Sequence, residues 1–272
     1  MLKIFYKNKT AFLGASFIFF ITLSSVFAPI MSAYSFDMQD TENILGLPDL
    51  KHWMGTDRLG RDLFSRILFG ARVSLFIGFF STLTAMLIGT LYGAISGYVG
   101  GKIDNIMMRV VDVVFSLPDL LLIILITVTI GRGVGGIFFA LSMVSWATVA
   151  RLVRGETLRL KEYSYVEAAR ALGLSHRRII LKYILPNTIG LLIVTLTFRI
   201  PLAILAESTL SFIGLGIAPP FSSWGSLANE GWTALKFYPH LIIFPSVVIF
   251  LTILSFNFIG EGLRDILDPE GN

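Results

Sequence analysis

Long apolar runs separated by short polar stretches dominate the chain. A membrane-spanning helix needs about 20 mostly apolar residues. Six segments meet or approach that length: Ala11–Met31, Val73–Ile95, Val113–Ile130, Val134–Ala150, Thr188–Leu205 and Leu241–Ile259. The fourth is short, and the third carries Asp119 and Pro118, which should kink it. The prediction is an all-α, polytopic membrane protein. The N-terminal run could be a signal peptide. Its 21 charge-free residues exceed the usual h-region of about 7–15, and no small-x-small cleavage site follows, so a retained span is expected.

The longest polar stretch after residue 72 is RLVRGETLRLKEYSYVEAARALGLSHRRIILKYILPN, residues 151–187. It holds eight Lys and Arg against Glu156, Glu162 and Glu167, and most of its residues favour helix. Gly173 is the interior breaker, and Leu185-Pro186 should close the block. The expectation is a helix, a tight turn at Gly173, a short second helix and a stop. Such a helix pair, held in water between two spans, has a shape suited to receiving a push from another protein.

Composition and charge fit this picture. Hydrophobic residues make up 54% and charged residues 15% of the 272, with mean hydropathy +0.76, against about 25% charged in soluble domains. Six spans put both termini on one side. With both termini cytoplasmic, fourteen Lys and Arg fall on the inner side, while the short outer loops hold only Arg132 and Lys236. Segment 32–72 has five basic and six acidic residues, and long loops weigh little in this bias. No basic, aromatic-interleaved patch suggests nucleic-acid binding.

Within that segment, TDRLGRDLFSRILFGAR (56–72) alternates at helical spacing. Leu59, Leu63, Phe64, Ile67 and Leu68 share one face, while Arg58, Arg61, Asp62, Ser65 and Arg66 share the other. This predicts an amphipathic helix in the outer interface with a solvated charged face; a docking surface for an outside partner is the alternative. The run ESTLSFIGLGIAPPFSSWGSLANEG after the fifth span is too broken to cross a membrane and too apolar for a free loop. It is expected to re-enter or cap the outer mouth.

Chemistry of catalysis is absent from the pattern. There is no HExxH, no Gly-x-Ser-x-Gly elbow and no cysteine, and His52, His176 and His240 are far apart in sequence. Neither a metal site nor a catalytic residue is predicted. The Gly-rich turn at 96–105 lacks phosphate-loop spacing around Lys102, so no nucleotide site is expected. Arg109 and Asp112 read as an i,i+3 pair. Asp112 and Asp119, seven apart on one helix, would share a face, whereas an aspartyl protease needs carboxylates on facing helices. What remains at membrane depth is Asp119, Arg199 and Glu207, and such groups mark pathways or buried pairs. Arg199 and Glu207 lie about 12 Å apart along one helix, too far for easy pairing. A gated transporter fits best; an ion channel or membrane enzyme is the remote alternative.

Several residues carry a family resemblance. Glu167-Ala168-Ala169, Gly173 after three more residues, then Leu185-Pro186 resemble the EAA signature of ABC-importer permeases, with Tyr183 where the pattern has Ile. Four further blocks resemble the dipeptide/oligopeptide/nickel permease family: His52-Trp53-Met54-Gly55-Thr56-Asp57 with Gly60-Arg61-Asp62; Trp146 with the 151–187 loop; Ser211-Phe212-Ile213-Gly214-Leu215-Gly216 with Pro219-Pro220 and Trp224-Gly225; and Phe256-Asn257 through Leu267-Asp268-Pro269, where Glu261 replaces the commoner Asp. The resemblance implies a type I importer (MetI-like) permease fold, with an N-terminal span and outer loop (1–51), a permease domain (52–272) and a coupling loop at 151–187. It implies a bacterial inner-membrane complex with a sister permease, two ATP-binding subunits and an extracytoplasmic substrate-binding protein. ATP and Mg would bind the partner subunits, with no cofactor on this chain. Glu167 would face a basic residue of the ATPase, Ala168 and Ala169 would permit close approach, and Gly173 would make the turn. Peptides are the expected cargo and nickel or its chelates the alternative.

Overall fold

The computed structural model describes residues 8–267. It is helical, and its only β-pairing among the described residues is two isolated bridges, Gln39 with Arg61 and Thr56 with Asp62. In chain order the helices are α1 (Lys9–Val26), α2 (Ala28–Met31), α3 (Leu63–Val99), α4 (Gly101–Phe115), α5 (Asp119–Ile130), α6 (Val134–Leu160), α7 (Ser164–Ala171), α8 (His176–Ile179), α9 (Leu185–Phe212), α10 (Trp224–Trp232) and α11 (His240–Leu267). Five helical stretches are long and apolar enough to cross a membrane, or six if the α4–α5 pair counts as one broken span.

The six predicted segments all fall on these helices, but several boundaries move. The second span is a 37-residue helix that starts at Leu63, ten residues before the apolar run. Asp62 caps it by accepting the backbone N–H of Ser65 at 2.7 Å. No separate interfacial helix precedes it, so the amphipathic stretch from Leu63 onward is the first part of α3. The third span is broken by 84° between α4 and α5. Pro118 cannot donate to the preceding turn and sits at the N-cap of α5, so the helix stops and restarts there. The break also separates Asp112 from Asp119, which share no helix face. Asp112 pairs with Arg151 across helices at 2.7 Å, not with Arg109.

The α3–α6 pair is the spine of the bundle. Its contact is made of small residues at spacing of four: Gly89, Gly93 and Gly97. A Cβ at Gly89 would lie 2.6 Å from the Trp146 carbonyl, one at Gly97 would lie 2.8 Å from that of Arg154, and one at Gly93 would meet the Ala150 carbonyl. The backbones therefore touch directly, as small-xxx-small helix pairs do in membranes. Residues 32–62 form a compact loop closed by backbone bonds such as Leu45 N–H to Asp57 O at 3.0 Å and Leu63 N–H to Gly55 O at 3.0 Å. Within it, the backbone N–H groups of His52 and Lys51 donate to Asp49 and hold its carboxyl below the usual carboxylate range.

Candidate coupling surface and charged groups

The 151–187 loop turns at Gly173 as its sequence suggests, with two corrections: the helix before the turn is broken at 161–163, and there is no stop at Leu185-Pro186. α6 continues to Leu160, three residues break the helix, and α7 follows. Gly173 adopts φ +74, the left-handed turn that glycine accepts without Cβ strain. The loop does not stop at Leu185-Pro186. α8 passes through a π-helical turn (Ile180–Ile184) directly into α9. Pro186 lacks the N–H that an α-helical turn would need. The wider turn lets the Leu185 N–H reach the Ile180 carbonyl instead, while the Asn187 side chain covers the Tyr183 carbonyl at 2.6 Å.

α7 has only eight residues and could not persist alone in water. It is held by one apolar face. Val166 and Ala169 are buried against Tyr98 at the end of α3, Leu160 at the end of α6, and Ile179 and Ile184 on the way into α9. Burying a side chain the size of Val contributes roughly 1.5–3 kcal/mol. The opposite face of α7 carries Glu167 and Ala168, both exposed, and the turn beyond exposes Leu172 (82%) and Gly173. Of the signature residues, then, Glu167, Ala168 and Gly173 face out and Ala169 anchors. Leu185 is half-buried and Pro186 exposed at the root of α9. Glu167 has no ion pair among the described residues.

The three charged groups expected at membrane depth are not brought together. Arg199 is half-buried on α9, and no described residue lies within hydrogen-bond or ion-pair distance of its guanidinium. Asp119 is exposed at the start of α5 just after the break and makes no ion pair with Arg199 among the described residues. Glu207 is fully buried. It accepts from Ser211 Oγ at 2.7 Å and Ser74 Oγ at 3.2 Å. Ser74 in turn accepts the backbone N–H of Trp224 at 3.2 Å, and Ser223 donates to Ser211 at 3.2 Å. Glu207 thus joins α9, α3 and the start of α10.

This architecture has relatives. The family described as binding-protein-dependent transport system inner membrane component matches residues 89–270. The chain belongs to that family. Residues 1–48 of the permease also match the N-terminal TM domain of oligopeptide transport permease C. It is 47% identical to the dipeptide transport system permease protein DppC of Bacillus subtilis, over 97% of this chain and 83% of the relative. The oligopeptide transport system permease protein OppC of Bacillus subtilis is 42% identical over 98% and 87%. The glutathione transport system permease protein GsiD of Pectobacterium atrosepticum is 40% identical over 98% and 89%. The permease is a multi-pass inner-membrane transport subunit of the ABC-importer type, a family whose members work in complexes with other subunits.

One site escaped the sequence reading. Apart from exposed Arg58, the charged face of 56–72 is not solvated: Arg61, Asp62, Ser65 and Arg66 are buried. Arg66 is fully buried and reaches Asp57 at 2.6 Å and Glu230 of α10 at 3.0 Å. Arg61 reaches the same two acids at 2.7 and 3.3 Å. Beside them, buried His52 bonds Asp62 at 2.9 Å and stacks on Tyr34. The Trp224 ring, also fully buried, donates to the Ile67 carbonyl at 3.1 Å. A charged helix face looks the same in sequence whether water or a distant partner covers it, and Glu230 lies 164 residues from Arg66. The one available signal was Glu230 itself, an acid in the otherwise uncharged 208–231 stretch. Among the described residues no group of three or more His, Cys, Asp or Glu could hold a metal ion.

Proposed function

We propose that this permease forms half of the translocation pore of an ATP-driven peptide importer, and that α7 is the lever through which ATP hydrolysis on separate subunits moves it. The single observation that carries this is the two-sided build of α7. Its exposed face offers Glu167 and Ala168 to a partner, while its buried face grips the ends of α3 and α6 and the π-helical turn that leads into α9. A push on the exposed face is therefore passed to three spanning helices at once, because a packed cluster moves as a unit. The partners in this reading are a sister permease, two ATP-binding subunits carrying ATP and Mg, and an extracytoplasmic substrate-binding protein. The loop faces the cytoplasm, with both termini inside, as the charge bias argues. Residues 1–51 form an N-terminal unit whose helix α1 lies against α11, with the permease domain in 52–272.

Peptides are favoured as cargo over nickel or its chelates because relatives of 40–47% identity are named for dipeptides, oligopeptides and glutathione. Arg199 lines the path, its guanidinium, unbonded among the described residues, open to a passing peptide carboxylate. Glu207, enclosed by its serine partners, instead holds α10 against the bundle. The test is uptake by the reconstituted complex of a labelled dipeptide, its C-terminal amide and a nickel chelate. Import of the dipeptide alone supports the reading; import of the nickel chelate alone would overturn it. In Arg199→Gln the free acid should lose roughly tenfold more uptake than the amide, the worth of one charge-assisted hydrogen bond. Equal losses, or a complex that falls apart, would assign Arg199 to a buried pair with the sister subunit. Single cysteines at His176 and Ser226 should label from opposite sides of the membrane, and labelling of both from outside in sealed cells would reject the six-span arrangement.

A further inference from the structure

Where α3 ends beside the coupling loop, a pocket of about 400 Å³ opens between Tyr98, Val99, Lys161, Glu162, Arg170 and His176. Three of these can donate to an anion. The Lys161 ammonium lies 3.3 Å from the Gly97 carbonyl at the C-terminal end of α3. The Arg170 guanidinium sits over the Tyr98 ring at 5.6 Å, and no described acid pairs with it. His176 engages the Tyr98 hydroxyl through Nδ1 at 3.2 Å, which leaves Nε2 as its ring nitrogen available to a ligand. Tyr98 is buried and holds Arg170 and His176, two of the three donors, against one aromatic floor. Glu162 is the single acid at the rim, and it makes no ion pair with these bases among the described residues.

The apolar surface leading to the pocket is equally specific. Leu87, Leu91, Ile95 and Val99 recur every four residues along α3 and are exposed at 61, 52, 43 and 46%. Residues four apart share a helix face. This stripe descends the spanning helix and ends at Val99, in the lip of the basic pocket. An apolar track about one lipid chain long, ending in basic side chains at the end of α3 that the charge bias places inside, matches an anionic phospholipid in both charge and shape. Basic pockets at the cytoplasmic ends of spanning helices hold such headgroups.

We propose that this pocket binds the phosphate of an anionic phospholipid headgroup, with the acyl chain along the Leu87–Val99 stripe. The proposal rests on the inward placement of the coupling loop argued above. Its test reads lipid binding rather than transport, so the two can fail separately. The measurement is native mass spectrometry of the purified transporter complex with phosphatidylglycerol or phosphatidylcholine added in equal amounts. The wild type should retain phosphatidylglycerol in preference. Lys161→Gln/Arg170→Gln should lower that preference roughly 25-fold, taking each basic side chain at its usual worth near an anionic surface. Lys161→Gln alone should lower it roughly fivefold on the same scale, which keeps the test open if the double variant fails to assemble. Arg178→Gln, an exposed base outside the pocket, should leave it unchanged.

Equal retention of the two lipids, or full retention by the double variant, would overturn the proposal. Displacement of phosphatidylglycerol by inorganic phosphate at the same concentration would assign the pocket to a free anion instead of a lipid. Binding by the permease alone that vanishes when the ATP-binding subunits join would assign it to an acidic surface of those subunits. Either result rejects a lipid site.

Discussion

The two ends of α3 lie about 55 Å apart at 1.5 Å per residue, and they are built by opposite rules. At its start, Asp57, Arg61, Arg66 and Glu230 form a largely buried ion network made within this chain. At its end, α7 is anchored by apolar contacts and by Arg170 over the Tyr98 ring, and its Glu167 faces outward with no ion pair among the described residues. A buried charge left unpaired is strongly destabilising, so the first end must be satisfied within the folded subunit. Exposed charges cost little to leave unpaired and can wait for another protein. The first end is therefore a clamp that tolerates little change, and the second is, in the function proposed above, a surface for a partner held ready by a small core.

Substitutions that break this contrast can be ranked by their effect on the stability of the purified permease. The largest belongs to Arg66→Met, which leaves Asp57 and Glu230 short of a buried cation and should cost about 3–5 kcal/mol. It should be visible as a fall in the thermal unfolding midpoint in detergent or as failure to accumulate. Gly93→Leu comes next. Even a Cβ would press on the Ala150 carbonyl, so the α3–α6 pair must separate, at about 1–3 kcal/mol by the usual cost of overpacking. Glu207→Leu should follow, because it strands the Ser74 and Ser211 hydroxyls at about 1 kcal/mol or more each, whereas Glu207→Gln keeps one acceptor oxygen and adds an amide N–H that a serine oxygen can accept, and should lie closer to wild type. Asp112→Asn breaks an exposed pair with Arg151 and should change the midpoint by the equivalent of about 0–1 kcal/mol. Glu167→Lys should not move it at all.

The sequence discloses the contrast unevenly. Segments such as Val134–Ala150 and Leu241–Ile259 are legible because an apolar run of that length has few other uses, and the glycine at 173 is legible because a turn needs its φ. The limits lie where one local pattern serves two environments. Arg61 and Arg66 alternate with leucines as a solvated helix would, and only Glu230, distant in sequence, makes that face interior. Pro186 reads as a stop because it removes a donor, yet the π-helical turn before it absorbs the loss and the helix runs on. Asp112 has Arg109 at a helical spacing but finds Arg151 on another helix. In each case the deciding partner is set by packing between helices, to which local periodicity is blind.

The central claim is that α7 passes force without holding the subunit together. The direct measurement is Glu167→Lys in the complex reconstituted into proteoliposomes, with peptide uptake and thermal unfolding of the same preparation followed side by side. The account predicts an unchanged unfolding midpoint and uptake reduced roughly 30-fold or more, the effect of reversing a charge that pairs across an interface. Wild-type uptake at full assembly, or a midpoint that falls as far as it does in Arg66→Met, would contradict it.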